Sequence, residues 1–139
     1  MKKRDEQHVV IIDDDPVSNM LTEMSIKSVH SKDFIRSYVD PTDGIEHIAN
    51  LVNKNEGEQV IAFVDINMPG LSGWDVIERL APMITNGQAN GLRIYMLSSS
   101  INTNDKLKAY NIPIVSGYFE KPLSSKDFSD LIFKCNYIR

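Results

Sequence analysis

The sequence predicts an α/β fold, a parallel sheet with helices on both faces. Five short apolar runs alternate with stretches whose apolar residues recur at helical spacing, all within 139 residues. That alternation is the pattern of a parallel sheet wrapped by helices. The run Val60–Val64 is apolar at every position and is followed by Met68-Pro69-Gly70 and Gly73. A continuous run of that length, bounded by Pro and Gly, marks a strand buried on both faces.

The elements follow in order. Val9–Ile12 is a strand that stops at Asp13-Asp14-Asp15-Pro16. Asp15 reads as the N-cap of a helix opening at Pro16, because proline suits the first helical position. Val17, Met20, Leu21 and Met24 follow at i, i+3, i+4 and i+7 and are expected to face the core. Phe34–Val39 is the second strand, with Arg36 and Ser37 marking an edge. Asp40-Pro41 opens a second helix with Ile45, Ile48, Ala49 and Val52 on one face. Asn53–Gln59 is a polar loop, and Val60–Val64 the third strand.

Ser72 and Asp75 form a capping-box pattern, and Ile77, Leu80, Ala81 and Ile84 continue as a helix face. Pro82 is expected to kink or end that helix near Ala81. After a loop over Thr85–Gly91, Leu92–Leu97 is the fourth strand and Ser98-Ser99-Ser100 the turn leaving it. Asn102–Asn111 is a weak helix whose apolar residues are Leu107, Ala109 and Tyr110. Val115–Phe119 is the fifth strand, ending at Glu120-Lys121-Pro122. Ser124 and Asp127 cap a last helix that buries Phe128, Leu131, Ile132 and Cys135.

Composition narrows the function classes. The chain is 42% hydrophobic and 24% charged, a globular balance. With 15 basic and 19 acidic residues the net charge is −4, so there is no basic excess to grip nucleic acid. One cysteine excludes an internal disulfide and suits a reducing compartment. The charged start, MKKRDEQH, leads only to Val9–Ile12, too short for a signal peptide or a membrane span. A cytoplasmic protein without membrane attachment is expected. With no repeat or linker, residues 1–139 read as one domain, its core running over about 8–136.

Ligands of such sheets bind beyond the carboxyl ends of the strands, near the point where strand order reverses. Asp13 and Asp14, Asp65, Ser98 and Lys121 all leave the sheet at that edge. Carboxylates gathered there repel, each pair costing about 4 kcal/mol at ~4 Å and an effective dielectric of ~20. A hard divalent cation removes that cost, and an all-oxygen acidic pocket suits Mg²⁺.

Four stretches, VVIIDDDP, VDINMPGLSG, MLSSS and GYFEKPL, together resemble the receiver domain of two-component response regulators. The resemblance runs from Val9 to the last helix and implies a flavodoxin-like receiver fold with strand order 2-1-3-4-5. It implies that Asp65 is the phospho-acceptor, a carboxylate nucleophile toward a phosphohistidine or a small phosphodonor. Mg²⁺ would be held by Asp14 directly, by Asp13 through water, by Asp65 and by the backbone carbonyl of Asn67. Lys121 would pair with the phosphoryl oxygens, aimed by a cis-capable Lys121-Pro122 bond. Ser98 would contact the phosphoryl group, and Tyr118 would change rotamer with it.

The implied partners are a histidine kinase or histidine phosphotransfer protein, and a downstream protein engaged by the fourth helix, fifth strand and fifth helix. Winged-helix members of the family carry an acidic pair before the fifth-strand tyrosine, whereas this chain has Val115-Ser116-Gly117. A monomer or weak dimer is therefore expected.

Other folds and roles share parts of this pattern. Haloacid-dehalogenase-type phosphatases also place an aspartate after an apolar strand, but carry a second acid two residues on, where this chain has Asn67. A degenerate receiver used as a binding module would lack part of the set Asp13, Asp14, Asp65, Ser98 and Lys121, and all five are present. A third possibility is the receiver portion of a hybrid kinase; the opening Met1 favours a free-standing protein. Ser100, two residues past Ser98, and Asn67 occupy positions that would tune phosphoryl loss. Trp74 and Cys135 read as packing residues. His8 precedes the first strand without adjacent acidic or cysteine residues to form a metal site, and His30 and His47 read as ordinary surface or helix-end residues.

Overall fold

Runs rich in Val and Ile favour the pleated, buried backbone of a central sheet. In the computed structural model, which describes residues 7–54, 59–85, 91–99 and 102–137, all five become strands. The order is β1 (His8–Ile12), α1 (Pro16–Lys27), β2 (Ile35–Tyr38), α2 (Pro41–Lys54), β3 (Val60–Asp65), then α3 (Gly73–Thr85). It continues with β4 (Leu92–Ser98), α4 (Thr103–Tyr110), β5 (Val115–Glu120) and α5 (Ser125–Tyr137). The strands pair in parallel in the order β2-β1-β3-β4-β5, as expected for a flavodoxin-like receiver fold. The edge position of β2 agrees with its polar Arg36 and Ser37. Parts of the expected loops, residues 55–58 and 86–90, together with Ser100 and the Cys135 side chain, lie outside the described residues.

Side chains alternate across each strand, so each strand feeds two cores. Val10, Ile12, Ala62, Val64, Ile94 and Met96 pack against Ile48 and Val52 of α2, Val76, Ile77 and Leu80 of α3, and Ala109 of α4. Val9, Ile11, Ile61, Phe63, Tyr95 and Leu97 pack against Ile26 of α1 and Phe128, Leu131 and Ile132 of α5. Caps fix where the helices begin. Asp15 accepts from the Val17 amide at 3.0 Å. Ser72 and Asp75 cap each other's backbone amides, and Ser124 accepts from the Asp127 amide. Among the described residues no helix is long and apolar enough to cross a membrane.

Three expectations are corrected. The face of α1 made by Val17, Met20, Leu21 and Met24 points outward, each residue 45–61% exposed, while Asn19, Thr22 and Ile26 are buried. Polar anchors set this rotation: the Asn19 amide donates to the carbonyls of Asp13 at 2.8 Å and Tyr38 at 3.4 Å. Pro82 does not end α3, which runs on to Thr85. Proline removes one backbone donor, and Met83 and Ile84 hold the last turn against the core. His30 is buried rather than superficial, its Nε2 2.7 Å from the Gln7 carbonyl and its ring edge-on to Phe128.

Candidate functional site

The site forms where β1 and β3 deliver their last residues at the reversal of strand order, between β1 with β2 on one side and β3 with β4 on the other. β1 ends at Ile12 and passes Asp13 and Asp14 to the loop; Asp13 is held by its amide, which donates to the Tyr38 carbonyl at 3.1 Å. β3 ends at Asp65, and the next amide, Ile66, donates to the Leu97 carbonyl, so the acid leaves the sheet beside β4. Ser98 ends β4 fully buried, and its carbonyl accepts from the Lys121 amide at 2.7 Å. The peptide bond after Lys121, to Pro122, is cis.

Asp13 and Asp65 are nearly inaccessible, at 1% and 3% exposure. Carboxylate oxygens of Asp13, Asp14 and Asp65 lie within 4.8 Å of one another. The Lys121 ammonium joins them, 2.9 Å from Asp13 Oδ2 and 3.2 Å from Asp65 Oδ1. One cation does not balance three acids. Burial first, and then the charge of Asp13, push the Asp65 pKa up to about 6, although Lys121 pulls it down. Burial acts to lower the Lys121 pKa, but its hydrogen bond to Asp13 and the charge of Asp65 outweigh it, leaving the lysine above its ordinary value.

This donor set fits a hard divalent cation. It is all oxygen, clustered, and short of positive charge, as Mg²⁺ requires. Asp13 Oδ1 already accepts from the Asp15 amide at 3.0 Å, and Oδ2 from Lys121 and Ser18. That occupancy suits an outer role through water better than direct ligation, and leaves Asp14 and Asp65 less encumbered.

The structure also places Asn67 and Tyr118. Asn67 is exposed, two residues past Asp65. Tyr118 is half-buried on β5 and packs against the α2–α3 core. Trp74 packs against the same core, with the Lys108 ammonium 4.6 Å from its ring centre. Ser18 was not anticipated. Its hydroxyl donates to Asp13 Oδ2 at 2.5 Å and accepts from Lys121 at 3.1 Å. The signal in the sequence was a hydroxyl in the first turn of a helix capped from the acidic triplet.

Comparison with known proteins agrees with the fold. A two component response regulator from Cytophaga hutchinsonii is 29% identical, with a TM-score of 0.82 over 94% of this chain and 96% of that one. A CheY-like response regulator receiver domain protein from Methanospirillum hungatei JF-1 is 23% identical, with a TM-score of 0.66 over 96% and 98% of the two chains. A two-component response regulator from Legionella pneumophila is 20% identical, with a TM-score of 0.70 over 95% and 99%. At their identities the last two speak to the fold. No curated protein matches the chain. The family model of the response regulator receiver domain matches residues 9–133, nearly the whole chain, and the protein therefore belongs to the receiver domains of two-component response regulators.

Proposed function

We propose that Asp65 accepts a phosphoryl group from a phosphohistidine on a histidine kinase or phosphotransfer protein. The observation that carries this reading is the contact of one buried lysine with both Asp13 and Asp65 inside an acidic cluster at the strand ends. An oxygen of Asp65 attacks phosphorus, the P–N bond to the donor imidazole breaks, and a mixed carboxylic–phosphoric anhydride forms. Lys121 neutralises the phosphoryl oxygens, and the Ser98 hydroxyl donates to them. Asp14, Asp65 and the Asn67 carbonyl would hold Mg²⁺, with Asp13 acting through water. Bound there, the ion would neutralise charge as the phosphoryl group arrives. Positioning and charge compensation supply most of the rate in such transfers.

The exposed apolar face of α1 supports docking of the donor protein. Val17 and Leu21 also line a cleft of about 260 Å³ that reaches Ser18, Ser99, Lys121 and Pro122, so the face is continuous with the mouth of the site. The output surface is read as α4, β5 and α5. Ser98 moves toward the phosphoryl group, Tyr118 turns into the space, and α4 follows. Ala109 is the buried residue of α4, while Leu107 and Tyr110 are exposed, which suits both a mobile helix and a partner surface. Residues 1–139 are read as a single cytoplasmic receiver domain.

The test is intact mass after incubation with Mg²⁺ and acetyl phosphate. A gain of one phosphoryl group, lost in Asp65→Asn and with EDTA, is expected. No adduct in the wild type, repeated with a protein phosphodonor, would overturn the reading in favour of a phosphorylation-independent binding module.

A further inference from the structure

We propose that Ser18 is a positioning residue for Lys121, a neutral hydroxyl that holds the ammonium over Asp65 through the phosphoryl-transfer cycle. This rests on the reading of Asp65 as phospho-acceptor. An ammonium has three N–H donors. Here they have three acceptors: Asp13 Oδ2 at 2.9 Å, Ser18 Oγ at 3.1 Å and Asp65 Oδ1 at 3.2 Å. Two of those acceptors serve the reaction itself. Asp65 gives up its carboxylate charge when it becomes an acyl phosphate, and Asp13 faces the cation site. Ser18 Oγ alone among the three is neutral and is neither phosphorylated nor turned to the cation.

The hydroxyl is also fixed in direction. Its proton goes to Asp13 Oδ2 at 2.5 Å, which leaves its lone pairs for Lys121. Its backbone lies in the first turn of α1, anchored by Pro16 and by the Asp15 cap. A lysine side chain has four rotatable carbon bonds and little preference of its own. Without the hydroxyl, the ammonium would be placed by the two carboxylates, of which Asp13 is the nearer. It would then spend less time where the phosphoryl oxygens form.

The experiment compares wild type, Ser18→Ala and Ser18→Thr in single-turnover phosphorylation by acetyl phosphate, with Mg²⁺ affinity measured separately and saturated for each protein. Ser18→Ala should lower the maximal rate by about tenfold, the effect of one hydrogen bond to a charged group, with half-saturation by donor changed less than ~2-fold. Ser18→Thr keeps a hydroxyl and should restore the rate to within ~3-fold of wild type. A full rate in Ser18→Ala overturns the inference. So does a slow Ser18→Thr, which would assign the effect to packing, or a change confined to Mg²⁺ affinity, which would assign the hydroxyl to Asp13. A wild type that takes no phosphoryl group fails the reading of Asp65 itself, and the inference with it.

Discussion

Gly73 lies against the backbone of Asp65 so closely that a Cβ there would sit 2.4 Å from the Asp65 carbonyl oxygen and 2.8 Å from Ile66 Cα. The loop after β3 thus folds back on the residue that ends the strand, tied by the Gly73 amide to the Ile66 carbonyl at 2.9 Å. Backbone atoms cannot swing aside as a side-chain tip can. Gly73→Ala should therefore destabilise the protein by about 2–4 kcal/mol in urea unfolding, a size typical of a core overlap. An unchanged midpoint would mean that the loop relaxes freely.

The acidic cluster makes stability depend on pH and on metal. The Asp65 pKa is raised from 3.8 to about 6, so this group's contribution is fully present below pH 3.8 and is lost as pH rises through about 6. Metal-free Asp65→Asn should be more stable than wild type at pH 7.5, by at most about 3 kcal/mol, and the gap should close by pH 4. Mg²⁺ should stabilise wild type more at pH 7.5 than at pH 5, and Asp65→Asn little at either. Urea titrations with EDTA or Mg²⁺ at these pH values check each sign.

Removing the lysine acts in the opposite direction. Lys121→Ala leaves Asp13 and Asp65 buried without their cation. The metal-free fold should lose about 3 kcal/mol at pH 7.5, because a broken buried pair leaves uncompensated charge. Mg²⁺ should recover part of the loss in thermal melts, since it supplies charge to the same oxygens.

The outward face of α1 separates docking from chemistry. Met20→Glu and Leu21→Glu alter exposed positions and should shift stability by no more than about 0.5 kcal/mol. Transfer from a phosphohistidine protein should slow by roughly tenfold or more, as for a central interface residue. Phosphorylation by acetyl phosphate should be unchanged, and parallel kinetics with the two donors distinguish the outcomes.

Much of this arrangement was legible in the chain because strand ends are easy to read. A continuous apolar run that stops at an acid or a hydroxyl places that residue at a sheet edge, and Asp13, Asp65 and Ser98 arrived there for that reason. The rotation of α1 was not legible. Periodicity shows that Val17, Met20, Leu21 and Met24 share a face, but not where the face points. That is set by Asn19 reaching across to Asp13 and Tyr38. Ser18 was hidden for a related reason: its partners Asp13 and Lys121 come together only once β1 and β5 lie in one sheet. His30 looked superficial because its partners, the Gln7 carbonyl and Phe128, are distant in sequence.

The most direct measurement is the position of the phosphoryl group. After Mg²⁺ and acetyl phosphate, borohydride reduction of an aspartyl phosphate leaves homoserine, which peptide mass spectrometry locates. Homoserine at position 65, absent without Mg²⁺, is expected. Homoserine at Asp13 or Asp14 instead, or a phosphoryl group that resists reduction, would contradict the assignment of Asp65.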